Sequence, residues 1–139
     1  MNASDPVPVA YSGRCLCGRI AVAVSQEPGP IELCHCSMCR RANGSAFSAN
    51  AELPATALTV VRGQEFLSSY ESSPGEERLF CGNCGSPIFS RTRANPGVVR
   101  VRVGILTGPL HSRPVAHFHT GSMANWWTIT DSLIRHETE

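Results

Sequence analysis

The chain predicts a mainly β domain, a small sandwich or folded sheet held partly by its cysteines. Three observations carry that prediction. Apolar residues alternate with polar ones over short runs broken by glycine and proline, the period of strands. No segment sustains a helical period over three turns. All seven cysteines fall in three tight clusters, Cys15/Cys17, Cys34/Cys36/Cys39 and Cys81/Cys84. At 139 residues the chain is of single-domain length. It divides into a loose lead-in over residues 1–11 and one domain over residues 12–139.

The elements follow in chain order. Pro6 and Pro8 forbid regular pairing in the lead-in. From Arg19 a strand is expected, because Ile20, Val22 and Val24 alternate with small or polar neighbours. Glu27-Pro28-Gly29-Pro30 breaks it. After the second cysteine cluster, residues 37–42 are expected to make one helical turn. Residues 58–61 and 66–70 predict a strand pair joined through Arg62-Gly63-Gln64. Ser72-Ser73-Pro74-Gly75 is a turn leading into Arg78-Leu79-Phe80. Val99-Arg100-Val101-Arg102-Val103 is the clearest strand, with valines expected toward a core and arginines toward solvent. Residues 115–119 predict a further strand, which would put His117 and His119 on one face. Trp126 and Trp127 are adjacent, so on a strand they face opposite ways. One is expected in the core and the other, Trp126, at the edge of a substrate cleft.

Composition narrows the function classes. The formal net charge is +1 at pH 7, without the basic excess of a nucleic-acid-binding face. No run approaches the roughly 18 apolar residues of a membrane span. The first residues carry no basic start or apolar stretch of a secretory leader. A cytoplasmic location is expected, where thiols stay reduced and clustered cysteines bind metal.

The cysteine spacings are C-x-C, C-x-C-x-x-C and C-x-x-C, too tight for an ordinary disulfide framework and suited to wrapping a thiophilic metal. An odd number also excludes complete internal pairing. Four plus three is the natural division. Gly13-Arg14-Cys15-Leu16-Cys17-Gly18 and Cys81-Gly82-Asn83-Cys84-Gly85 are matched knuckles, each with glycine beside two thiols. Together they predict a closed four-thiolate structural zinc, with sulfurs about 2.3 Å from the metal. A redox pair at Cys81/Cys84 would need a thioredoxin-like βαβ setting, which the pattern lacks.

Cys34, Cys36 and Cys39 offer three thiolates, and three protein ligands with a vacant fourth position describe a reactive zinc. So much donated charge makes a poor Lewis acid for activating water, and a further sulfur ligand suits the metal better. A coordinating thiol loses its proton outright. The resulting thiolate is a nucleophile for a small electrophile such as an aldehyde, with proximity supplying much of the rate. Two other readings stay open: a closed site completed by His111, His117 or His119, and a metal-free redox-sensing triad. Arg40 and Arg41, directly after Cys39, are candidates to clamp a substrate carboxylate, or are solvated loop arginines.

With the three clusters placed, the chain resembles the glutathione-dependent formaldehyde-activating enzyme family, which also includes centromere protein V. The resemblance rests on the two knuckles, on Cys34-His35-Cys36-Ser37-Met38-Cys39-Arg40, on Phe80 and Ser86 flanking the third cluster, and on His117 followed by Ser122-Met123-Ala124-Asn125-Trp126. It covers residues 12–131. It implies a zinc-bearing, mainly β fold similar to that of a small zinc-binding accessory protein of Rab GTPases. It also implies a structural zinc on Cys15, Cys17, Cys81 and Cys84, and a catalytic zinc on Cys34, Cys36 and Cys39. The implied activity is that of a carbon–sulfur lyase joining glutathione and formaldehyde into S-hydroxymethylglutathione. The competing class is a non-enzymatic zinc-stabilised β module that binds a protein partner or a thiol. Elemental analysis of the reduced protein separates them. An enzyme should carry two zinc ions per chain, one of which loosens or changes ligands in millimolar glutathione. One tight zinc indifferent to glutathione would favour the module.

Overall fold

A computed structural model describes residues 10–138. The elements in chain order are β1 (Tyr11–Arg14), β2 (Ala21–Val24), β3 (Ile31–Cys34), α1 (Ser37–Asn43), β4 (Ser48–Pro54), β5 (Leu58–Arg62) and β6 (Leu67–Ser73). They continue with β7 (Glu76–Cys81), β8 (Pro87–Thr92), β9 (Val98–Arg102), β10 (Pro114–Phe118) and β11 (Ile134–Arg135). The expected lead-in falls mostly on residues 1–9, outside the described residues. Its last member, Tyr11, opens β1 opposite Val24.

Two sheets build the fold. The smaller has the order β1-β2-β5, and the larger runs β11-β10-β3-β4-β9-β8-β7-β6. All ladders are antiparallel except those of β10, which lies parallel to both β3 and β11. The period-2 alternation read in the sequence sets which residues meet between the sheets. Ile20, Val22 and Val24 from the smaller sheet join Leu33, Leu53, Ile88 and Val101 from the larger in one buried cluster, which also contains Cys15 and Cys81. The sandwich of mainly β elements matches the predicted class, and α1 is the single α-helix among the described residues.

Several local expectations need correction. Strands β5 and β6 do not pair with each other. β5 closes the free edge of β2, with Val60 opposite Val22 and Leu58 opposite Val24. β6 instead forms a hairpin with β7 across Pro74-Gly75, where Gly75 takes a φ of +80°. A two-residue loop closes at less entropic cost than a longer connection, and the shorter partner wins. β9 presents Val99 and Val101 to the core as expected, but its arginines do not face open solvent. Arg102 is buried and Arg100 half-buried, because the segment carrying Cys34 and Cys39 lies over that face. His117 and His119 also part company. β10 ends at Phe118, and His119 turns the chain with a left-handed φ of +57°. The two tryptophans lie on no strand and neither joins the core: Trp126 is 66% and Trp127 40% exposed. Trp127 rests edge-on against Phe47 at 5.8 Å.

Glu27, just past β2, ties distant segments together. It accepts the Tyr11 hydroxyl of β1, the backbone N–H groups of His111 and Ser112, and the Ser112 hydroxyl. These donors, the Tyr11 hydroxyl foremost, hold its carboxyl down to about 2, against 4.5 ordinarily. A depressed folded-state value means that the stabilisation is complete above the unfolded value and is lost as pH falls through the folded one. Glu27→Gln is therefore expected to melt lower near neutral pH and to lose less stability than the parent between pH 4.5 and about 2. Parallel acid-melting profiles for the two proteins would show that the carboxylate contributes nothing.

Candidate functional site

The two knuckles meet at the rim of the core. The Sγ atoms of Cys15, Cys17, Cys81 and Cys84 all lie within 4.8 Å of one another. Cys15 and Cys17 are separated by 3.6 Å, and Cys17 and Cys81 by 3.8 Å. A sulfur–sulfur bond would be about 2.05 Å, whereas four sulfurs about 2.3 Å from a central ion sit roughly 3.8 Å apart. The spacing suits four ligands around one metal ion and not a disulfide.

Each knuckle turns a backbone N–H onto its first sulfur. Ile20 N–H donates to Cys15 Sγ at 3.3 Å and Cys84 N–H to Cys81 Sγ at 3.4 Å. Gly18 and Gly85 close the two turns at φ of +79° and +83°, a region that side chains strain to enter. Ser86 locks one knuckle to the other. Its hydroxyl oxygen accepts the Leu16 N–H at 2.9 Å and lies 3.2 Å from Cys84 Sγ. The Ser86 hydroxyl and nearby backbone donors draw the Cys84 thiol down to about 5. Burial pushes Cys81 up. An ion at the centre would relieve that burial by neutralising the thiolate.

The second cluster is built on the start of α1. Cys34 ends β3, Cys36 caps the helix by accepting the Cys39 N–H at 3.3 Å, and Cys39 sits in the first turn. The three sulfurs converge within 4.8 Å of one another, and no further histidine, cysteine or carboxylate among the described residues joins them. The Arg78 guanidinium lies 3.7 and 3.8 Å from Cys39 Sγ. The Cys34 thiol donates to Cys39, and this bond, with Arg78 beside it, draws Cys39 down to about 5. The same bond and burial push Cys34 well up. One thiolate is thus already favoured in the triad, and the donor set fits a soft metal with one position open.

The three cysteines form part of the wall of a cavity of about 420 Å³. Arg78, Arg100 and Arg102 line it too, as do Glu32, Glu76 and Glu77, and His119 is its one imidazole. Arg40, Arg41 and Trp126, the substrate contacts anticipated from sequence, are not among its lining residues. Successive helical residues rotate by about 100°, so Arg40 and Arg41 leave the face that Cys39 presents. The arginines that do line it were visible as the alternation Arg100-Val101-Arg102, which puts two guanidinium groups on one face of a strand.

His35 points the other way from the cysteines that flank it. It is fully buried, and its Nε2 lies 2.8 Å from His117 Nδ1. His117 Nε2 in turn meets the Asp131 carboxylate at 3.0 and 3.1 Å. Burial pushes the His35 pKa down. This chain runs from between two cysteines, across the parallel β3–β10 ladder, to the C-terminal segment. Of the three histidines named as closing ligands for the three-cysteine cluster, His117 serves this chain, His119 lines the cavity, and His111 is exposed beside Glu27.

Residues 10–122 match the family model described as glutathione-dependent formaldehyde-activating enzyme. A Schizosaccharomyces pombe protein named an uncharacterized lyase is 35% identical over 79 residues, 57% of this chain and 56% of that protein. A Halomonas elongata protein that carries the family's name is 39% identical over 85 residues, 55% of this chain and 53% of that protein. The chain spans about half the length of these curated relatives. The crystal structure of a Rhodobacter sphaeroides protein is similar with a TM-score of 0.59 at 30% identity, covering 75% of this chain and 99% of that one. Because the family match runs through all three cysteine clusters and most of the sequence, the chain belongs to the glutathione-dependent formaldehyde-activating enzyme family.

Proposed function

We propose that the protein is a zinc-dependent carbon–sulfur lyase that adds a thiol, glutathione, to a small aldehyde of the formaldehyde type, giving S-hydroxymethylglutathione. The observation that carries this reading is the set of three converging sulfurs, without a fourth donor among the described residues, on the wall of a cavity. Family membership and the lyase name of a relative support it. Cys34, Cys36 and Cys39 would hold the catalytic zinc, and Cys15, Cys17, Cys81 and Cys84 a structural one. Zinc at the three-cysteine site supplies one chemical service, the ionisation of an incoming thiol at neutral pH. A reducing, cytoplasmic setting suits seven cysteines kept as thiols.

The protein's own residues do the rest. The cavity walls hold thiol and aldehyde together, which converts a bimolecular encounter into a local one. The carbon–sulfur bond forms between the thiol sulfur and the carbonyl carbon as the carbonyl π bond opens. The proton lost by the thiol ends on the new hydroxyl oxygen, so nothing is oxidised, reduced or expelled. His119 is the cavity's imidazole and the group to carry that proton between sulfur and oxygen.

The reduced protein is expected to speed the loss of free formaldehyde when glutathione is present and not in its absence. No acceleration would favour the metal-held β module that binds a protein partner or thiol. Cys36→Ser should bring activity to background while melting close to the parent. Cys81→Ser should melt far lower or precipitate, because a structural zinc site contributes folding free energy directly. Equal melting of the two variants would overturn the division of labour between the clusters.

A further inference from the structure

Arg102 is the only buried arginine or acidic side chain among the described residues, at 8% exposure. Among the described residues its guanidinium hydrogen-bonds only to neutral groups, the Ser90 hydroxyl at 3.2 Å and the Arg100 carbonyl at 3.2 Å. Burial pulls its pKa down to about 10, which leaves it charged at neutral pH. No carboxylate among the described residues reaches it. Glu77, which also lines the cavity, is held by Arg91 at 2.6 Å, and Glu76 comes within only 4.0 Å of Arg100. Partial burial, with Glu52 nearby, raises the pKa of Glu32 above the ordinary carboxylate value.

Two like charges flank Arg102, and the only negative groups acting on it among the described residues are the Cys39 and Cys34 sulfurs. Arg78, Ser90 and Arg100 stand directly opposite one another on β7, β8 and β9, and Arg102 follows on the same face of β9. Arg78 Nε is itself buried without a partner. A buried guanidinium facing two others weakens a fold unless something anionic completes it. The cavity leaves room for that anion between the arginines and the three cysteines.

We propose that Arg102, with Arg100 and Arg78, is the carboxylate-recognition site of this cavity and the feature that selects acid-bearing thiols over neutral ones. The inference rests on reading the cavity as the place where the thiol binds. A carboxylate held by the Arg102 fork fixes the remainder of the substrate, so that its sulfur meets the three cysteines. Arg78 touches both regions, since one guanidinium lines the cavity and lies against Cys39 Sγ.

The test uses S-methylglutathione, which keeps both carboxylates but has no thiol to ionise, titrated calorimetrically into the protein with its native metal content. The parent is expected to bind it, and Arg102→Met and Arg100→Gln to bind at least about tenfold more weakly. The dimethyl ester of the same probe should lose a similar factor on the parent. Arg102→Met should melt at or above the parent temperature, because a buried charge without a carboxylate partner has been replaced by an apolar side chain. If that variant fails to fold, Arg100→Gln and the ester comparison decide the matter. An ester that binds as tightly as the acid, no binding by the parent, or variants that bind like the parent would overturn the proposal. Carboxylate-dependent binding without any consumption of formaldehyde would sink the lyase reading and leave this site standing. Formaldehyde consumed equally well with glutathione and its ester would do the reverse.

Discussion

The meeting of the two cysteine knuckles is the constraint on which the rest of the molecule depends. Cys17 and Cys81 are 64 positions apart in the chain, yet their sulfurs lie 3.8 Å from each other. Cys15 enters from the loop that joins the first two strands of the small sheet, and Cys81 ends a strand of the large one. Both side chains belong to the shared apolar cluster. A metal ion held by the four sulfurs would fasten one sheet to the other where their hydrophobic faces touch. Closing so long a loop is entropically costly, and cross-linking it removes that freedom from the unfolded chain. Once the sheets are fixed, the β3 end and the first turn of α1 stand over β7 and β9, and the second set of sulfurs acquires its cavity.

Chemistry was more legible in the sequence than topology. The C-x-C and C-x-x-C spacings sorted four cysteines from three because metal ligation is a short-range demand on a few residues with glycine beside them. Strands with clean alternation, such as Val22/Val24 and Val99/Val101, could be read because one face of each is buried. Strands Ile31–Cys34, Ser48–Pro54 and Pro87–Thr92 were not anticipated, although they form much of the middle of the large sheet. Their residues are small or polar on one side and are held by neighbours far away in sequence, which no local pattern records. The same limit separated β5 from β6. Sequence proximity likewise singled out Arg40 and Arg41, next to the cysteines, whereas the arginines that line the cavity come from β7 and β9.

Alternation along the chain also explains how one short segment serves two sides. Cys34 and Cys36 face the cavity, so His35 between them must face away. There it finds His117 across a parallel ladder, and Asp131 beyond. This hydrogen-bonded chain, with both imidazoles buried and its carboxylate exposed, fixes the backbone that carries two sulfurs. Orientation of ligands by such outer partners is a general need of metal sites.

The hairpin of β6 and β7 gives the cavity an adjustable border. Ser72, Ser73 and Glu76 contribute to the wall from its turn, whereas Cys81 lies at the opposite end of β7. β6 is the outermost strand of its sheet and answers to a single neighbour. Insertions or exchanges at Pro74-Gly75 would therefore reshape the mouth without moving a sulfur. Descendants of such a scaffold can widen or narrow the cavity by altering one exposed turn, while the frame of seven sulfurs is inherited unchanged.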